Sequence, residues 1–389
     1  MGGSAHDKQP PLTPSREAPL RVLRMKPSSS LFFHLLLLLL LPQFLMAVGA
    51  GGPRQKAPDD DGDQLDKHYY ARSCPSFEAI VGSKIAHWHS VDPTLSPGLI
   101  RLLFHDCAVG GCDASILLDN PGGERRSPVS ATLRGFHVID DIKAEIERRC
   151  PKTVSCADIL VAAARDATLM VLTQTTPSSS FAISIEVAVR ETTGMRACVQ
   201  VGGPYWGNVY GRRDGRVSIA RQAEAIPRGR ESITHLIDFF ESLGLDILDL
   251  VVLSGAHTVG RATCQSIQYR LYNYTGARSK SDPSINPRYL NYLKRKCRWP
   301  SAYVDLDAAT PTKFDNAYYR NLDNRMGLLS TDQLLHSDSR TGPLVAALSS
   351  QPMVFAHQFA RSMKNLADTM VLEGDEGEIR TNCNFVNKY

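Results

Sequence analysis

The sequence predicts a mainly α-helical protein, and three observations lead there. Apolar residues recur at helical spacing in several long segments. Capping residues precede some of these segments and glycine follows others. Sustained strand alternation is scarce.

The elements follow in order. Phe77, Ile80, Val81, Ile85 and Trp88 share one helical face. Ser96 and Pro97 read as an N-cap and first helical residue, so a helix over 99–107 follows. Ser155 and Asp158 resemble a capping box before an alanine-rich helix over 157–169. Ile233, Leu236, Ile237 and Phe240 form another stripe, ended by Gly244. The apolar segment 246–255 leads as a helix to His257. Phe355, Phe359, Met363 and Leu366 repeat the spacing near the C-terminus.

The chain has 389 residues, 43% hydrophobic and 22% charged, which is ordinary globular composition. Net charge is only +4, without a long basic run, so nucleic acid is not an expected partner. Residues 1–50 read as an N-terminal extension plus a secretory signal. Arg24 and Lys26 precede the leucines over 35–41, and Val48, Gly49 and Ala50 offer a small-residue cleavage site. His34, Pro42 and Gln43 break the apolar stretch, which is short for a membrane span, so no membrane is expected in the mature form. Residues 1–24 are polar and do not fit a signal, so Met25 is the expected start. Residues 51–66 form a Gly-, Pro- and Asp-rich linker, and 67–389 the main domain.

One stretch breaks the helical order. Residues 171–200 turn to Thr, Ser and short β-branched runs and contain Cys198. This is an expected surface insertion. It begins with valine, whose codons start GT, and ends with glutamine, which CAG can encode. Those ends are the ones expected of a retained intron, so the segment is read as a gene-model error. There are nine cysteines, and a secreted chain makes disulfides the default. Spacing alone leaves their pairing open, although Cys107 and Cys112 can close a small loop. A zinc site lacks any paired CxxC or CxxH grouping.

Three constellations carry chemistry. Arg101 and His105 lie four apart on one predicted helical face, among Leu102, Leu103 and Phe104. An imidazole takes a proton near neutral pH, and a fixed guanidinium stabilises developing negative charge. That pair suits cleavage of a peroxide O–O bond. His257 sits among Gly255, Ala256 and Gly260, where small neighbours admit a flat ligand to an imidazole able to hold iron. Such a ligand needs a carboxylate or carbonyl on its other nitrogen. Asp106, Asp113 and Ser115 surround a Val-Gly-Gly turn in an oxygen-rich loop suited to a hard cation; Asp307, Thr310 and Asp315, joined by Thr258, have similar chemistry. N-caps and Asx turns are the structural alternative for both groups.

These motifs resemble the plant secretory (class III) haem peroxidases. The matching stretches are 101–112 (RLLFHDCAVGGC), 132–140 (TLRGFHVID), 153–159 (TVSCADI), 210–215 (YGRRDG), 253–260 (LSGAHTVG), 314–319 (FDNAYY) and 327–333 (GLLSTDQ). They span 69–387, with only the insertion unmatched. The resemblance implies a two-lobed helical fold with one noncovalent haem b between distal and proximal lobes. His257 would be the axial ligand, Asp332 its hydrogen-bond partner, and Phe104 a haem contact. His105 would be the acid/base and Arg101 the transition-state stabiliser. Pro227 would meet aromatic donors through its backbone. One calcium would use Asp106, Val109, Gly111, Asp113 and Ser115, with Glu124 nearby through water. A second would use Thr258, Asp307, Thr310, Lys313 and Asp315. The implied disulfides are Cys74–Cys150, Cys107–Cys112, Cys156–Cys383 and Cys264–Cys297, leaving Cys198 unpaired. The implied enzyme is a monomer, secreted to the cell wall or vacuole, that reduces hydrogen peroxide while oxidising small phenolic donors. Asn273 heads the only glycosylation sequon.

Two departures stand out. The family commonly has an asparagine after Glu124 that orients the distal histidine. Here the stretch reads Ser127-Pro128-Val129-Ser130, and Ser130 is the nearest substitute. A slower peroxide reaction is the expectation. The other departure is the insertion. The competing readings are a noncatalytic, calcium-braced extracellular binding protein of the same fold and a secreted hydrolase, the latter without any GxSxG or HExxH pattern.

Overall fold

The computed structural model describes residues 65–171 and 205–388. The expected signal, most of the linker, and the insertion beyond Val171, Cys198 included, lie outside the described residues. The chain divides into two units, 1–60 and 61–389, and the described residues all belong to the second.

Helices build nearly everything, as predicted. Phe77–Val91 forms α1, with Phe77, Ile80, Val81 and Ile85 buried. Trp88 is half-buried and donates its indole N–H to Asp141 Oδ2 at 2.8 Å. Leu95–Cys107 forms α2, which starts earlier than the sequence suggested. Its N-cap is Thr94, not Ser96. Ser96 is buried, and its hydroxyl meets His89 Nδ1 at 2.7 Å, so it serves α1–α2 packing instead. Pro97 falls in the first turn, where its missing N–H costs nothing.

Phe136–Arg149 is α3 and Cys156–Met170 is α4. Helix α4 is buried on nearly every side, and α1, α2 and α3 pack against it. Ser155 Oγ caps it by accepting the Asp158 N–H at 3.1 Å. The reciprocal half of the expected box is absent. The Asp158 carboxylate instead accepts from Tyr70 Oη (2.7 Å), the Gly211 N–H (2.8 Å) and Arg212 (3.0 Å).

After the short α5 (Ala220–Ala223) comes α6, Ile233–Ser242. Gly244, at φ +77°, lets the chain reverse so that the Leu245 N–H reaches Phe240 O at 3.0 Å. Helix α7, Ile247–Ser254, has a full capping box of Asp246 and Asp249 and runs into a tight turn, Gly255–Thr258, that carries His257. A Cβ on Gly255 would lie 2.4 Å from Tyr319 Oη, so only glycine admits this packing.

The remaining helices are α8 (Cys264–Tyr272), α9 (Pro287–Lys296), α10 (Ala317–Asp323), α11 (Ser330–Ser337), α12 (Gly342–Ser350) and α13 (Pro352–Ala367). Strands β1 (Arg261–Thr263) and β2 (Tyr303–Asp305) pair antiparallel, with Arg261 opposite Asp305. The larger apolar core joins α1–α4 to α6, α7 and α13. A smaller one lies under α8 and α9, around Ile267, Leu271 and Leu293. All four expected disulfides form: Cys74–Cys150, Cys107–Cys112, Cys156–Cys383 and Cys264–Cys297.

Candidate active site

The turn after α7 presents His257 as a half-exposed imidazole, its side chain 34% accessible. Its Nδ1 lies 2.8 Å from Asp332 Oδ1 on α11. A carboxylate accepts only, so Nδ1 carries the proton and Nε2 keeps a free lone pair. Asp332 is itself fixed: its Oδ1 accepts from Tyr318 Oη at 3.0 Å and its Oδ2 from the Leu329 N–H at 2.8 Å. Burial, and next the Asp332 charge, hold the Tyr318 phenol well above its usual range, so it stays a donor. An oriented imidazole with one nitrogen left open is the chemistry that haem iron requires of a protein ligand. The residues present therefore fit the group.

Helix α2 supplies the second half. His105 is buried, and its Nδ1 has no hydrogen-bond partner. Burial first, then the Arg101 charge, pushes its pKa down to about 3. It is thus neutral through the physiological range, which leaves a ring nitrogen able to accept a proton. One turn earlier, Arg101 opens to solvent but is held at its tip: Nη1 donates to Thr132 Oγ1 at 2.8 Å and Nη2 to Val129 O at 3.2 Å. Phe104 stacks on Phe240 of α6 at 6.1 Å between centroids. Ser130, the expected substitute for asparagine, is buried with an unpartnered hydroxyl and makes no hydrogen bond to His105. Among the described residues no hydrogen bond or ring contact links His105 with His257.

Two oxygen-rich clusters flank these helices. At and beyond the end of α2, Asp106, Asp113 and Glu124 have little access to solvent and lie near enough for their charges to interact. Burial, then the charges of Asp113 and Glu124, raises the Asp106 carboxyl well above the usual range, and burial pushes Glu124 up to about 8. Asp106 accepts the Ala114 N–H (2.9 Å) and the Ile116 N–H (3.3 Å), while Ser115 Oγ and Glu124 Oε2 find no partner. Val109 is buried in the same loop. Gly111 sits at φ +116°, where a Cβ would also strike Met370 O at 2.1 Å. Mutually repelling carboxylates in low dielectric call for a cation.

In the second cluster, Thr258 Oγ1 lies 3.1 Å from Asp307 Oδ2 and 3.3 Å from Lys313 O. Thr310 Oγ1 lies 3.4 Å from Asp307 and 3.0 Å from Asp315. Each hydroxyl has one proton but faces two acceptors, which leaves oxygen lone pairs converging. Among the described residues no three Asp, Glu, His or Cys side chains form a ready ligand group. Either cluster would therefore draw on hydroxyl and carbonyl oxygens, as hard cations accept.

Pro227 is half-exposed in a loop whose Gly229 carbonyl accepts the Ser330 (3.1 Å) and Thr331 (3.3 Å) N–H groups, tying it to the start of α11. Three supporting residues escaped the sequence reading. They are Tyr318, Asn321, which donates to Asp307 Oδ1 at 2.7 Å, and Ser218, whose hydroxyl accepts the Glu124 N–H at 3.0 Å. Tyr318 lies within FDNAYY, but no spacing rule joins it to an aspartate on another helix.

The sequence pattern of the Peroxidase family matches residues 81–351. Peroxidase 7 of Arabidopsis thaliana is 51% identical over 351 residues, 87% of this chain and 91% of that one. Peroxidase 71 of the same plant is 39% identical over 322 residues, 82% of this chain and 88% of that one. Peroxidase 23 is 40% identical over 335 residues, 83% and 87% of the two chains.

Proposed function

Because the chain belongs to the plant secretory (class III) haem peroxidase family, we propose that it carries one haem b on His257 and two calcium ions and oxidises small phenolic donors. It is a peroxidase, with hydrogen peroxide as its oxidant. The observation that supports the haem assignment best is the His257–Asp332 pair at 2.8 Å.

When bound, the haem supplies the redox centre that peroxide oxidises and that donors reduce one electron at a time. Overall, one hydrogen peroxide and two donors give two waters and two donor radicals. His105 Nε2 takes a proton from one peroxide oxygen and returns it to the other, which leaves as water. The Arg101 guanidinium stabilises the negative charge that develops as the O–O bond breaks. Asp332 keeps the Nδ1 proton of His257 in place and makes the imidazole a stronger electron donor. Phe104 would help line the haem site, and the Pro227 backbone would meet the aromatic donor.

Asp106, Val109, Gly111, Asp113 and Ser115 hold one calcium, with Glu124 behind it. Thr258, Asp307, Thr310, Lys313 and Asp315 hold the other. Val109, Gly111 and Lys313 act through carbonyls. The protein works as a monomer and outside the cytosol, the latter in agreement with the four disulfides among the described residues. No helix among the described residues is long and apolar enough to cross a membrane.

Refolding with haem and calcium, followed by an absorption spectrum and guaiacol turnover, tests this reading. A Soret band with peroxide-dependent turnover is expected. Protein that folds but takes up no haem would instead favour a noncatalytic, calcium-braced binding protein.

A further inference from the structure

We propose that Tyr318 is a positioning residue that limits, through Asp332, how much negative charge reaches His257. This deepens the haem reading above and rests on it. Two donors meet one carboxylate oxygen. His257 Nδ1 lies 2.8 Å from Asp332 Oδ1, and Tyr318 Oη donates to that same atom at 3.0 Å. The second oxygen, Oδ2, accepts the Leu329 N–H at 2.8 Å. The phenol thus competes with the imidazole for a single oxygen, rather than bracing the carboxylate from its other side.

The surroundings leave few substitutes for this phenol. Asp332 is 1% exposed and Tyr318 2%, so bulk water does not reach the shared oxygen. Tyr289, the other buried phenol close enough to feel the Asp332 charge, has a hydroxyl without any hydrogen bond. Among the described residues, Tyr318 is therefore the one phenol that donates to Asp332. The fold also holds it in place. Tyr318 and Tyr319 are neighbours in α10, and their hydroxyls serve different partners. Tyr319 Oη donates to Val251 O at 3.0 Å, which ties α10 to the helix leading to His257. The Tyr318 ring stands edge-on to the imidazole, with centroids 6.1 Å apart and planes at 76°. Phenylalanine would keep that ring, so the hydroxyl can be removed by itself.

Tempering and bracing predict opposite signs. A hydrogen bond to a carboxylate draws charge toward its donor, which leaves less for a second donor on the same oxygen. Without the phenol, Oδ1 serves Nδ1–H alone. The imidazole then gains charge and becomes a stronger electron donor to iron, which favours the ferric state. If the hydroxyl merely fixed the carboxylate, its loss would slacken the His257–Asp332 pair and weaken that donation. The shift would then run toward ferrous iron, as for loss of the carboxylate itself.

The test uses the full chain loaded with haem and calcium. In spectroelectrochemistry, Tyr318→Phe should move the ferric/ferrous equilibrium about threefold toward ferric, about 30 mV for one electron. Resonance Raman should show its ferrous iron–imidazole stretch raised. Asp332→Asn should move both readouts the other way, and adding Tyr318→Phe to it should move neither further. Tyr319→Phe removes a buried hydroxyl from the same helix. It should lower the melting temperature and leave the equilibrium within about 1.5-fold, because its partner is a backbone carbonyl. If Tyr318→Phe does not fold, 3-fluorotyrosine in place of Tyr318, a stronger donor, should move the equilibrium toward ferrous. No shift, or the opposite shift, in either Tyr318 variant would overturn the proposal. So would a Tyr318→Phe shift that keeps its full size with Asp332→Asn. A His257→Ala protein with the wild-type Soret spectrum would instead overturn the ligation on which the proposal rests.

Discussion

Asp332 accepts three hydrogen bonds, from His257 Nδ1, Tyr318 Oη and the Leu329 N–H. Its charge strengthens the electron donation of His257, so Asp332→Asn should keep the geometry and lose the effect. We expect the ferric/ferrous potential to rise in spectroelectrochemistry and turnover to fall by about 10- to 100-fold. An unchanged potential would mean that the carboxylate only positions the ring. On α2 and in the loop after it, His105 Nδ1 and Ser130 Oγ are both buried and unpartnered. An acceptor for the Nδ1 proton makes Nε2 a better base. Ser130→Asn should therefore speed the peroxide reaction by on the order of tenfold in stopped-flow, the worth of one hydrogen bond. No gain in rate would show that the missing asparagine is not what limits this chain. Arg101, His105 and His257 were legible in the sequence because each sits inside an ordered motif. Tyr318 was not, because a phenol and a carboxylate on different helices share no periodicity.

The elements were legible where burial repeats with the helical period and illegible where side chains had two possible uses. The stripe of Phe77, Ile80, Val81 and Ile85 marks α1. Ser96 has the form of a cap but spends its hydroxyl on His89, and Asp158 spends its carboxylate on Tyr70 and Arg212. The loop after α2 carries a testable charge. Glu124, buried and pushed up to about 8, binds its proton more tightly in the calcium-free folded state than in the unfolded chain. Calcium-free stability therefore falls as pH rises from the normal carboxyl range to about 8, and a bound cation cancels that loss. Chelation should lower the melting temperature by about 5 °C more near pH 8 than near pH 5. An equal drop at both pH values would contradict the assignment of calcium to Asp106, Asp113 and Glu124.

Across the whole molecule, the C-terminal segment is stapled to α4. Cys156–Cys383 closes a span of 227 residues, and Asp214 adds to the clasp by accepting the Ala157 and Arg380 N–H groups, each at 2.9 Å. Replacing both cysteines with serine should cost about 2–5 kcal/mol of stability in denaturant titration, because the unfolded chain regains freedom. A smaller loss would mean that the buried Asp214–Arg380 contacts hold the segment unaided. The composition and the helical repeat foretold a large helical domain, and the motifs a candidate site within it. The resemblance implied the Cys156–Cys383 link, whereas the Asp214 contacts were hidden, because their partners lie far apart in sequence. Haem titration of His257→Ala tests the iron ligand, on which every other role depends, most directly. Loss of the wild-type Soret spectrum and of peroxide consumption is expected, with the folded circular dichroism retained. A variant that binds haem with an unchanged spectrum and consumes peroxide at the full rate would contradict that ligation.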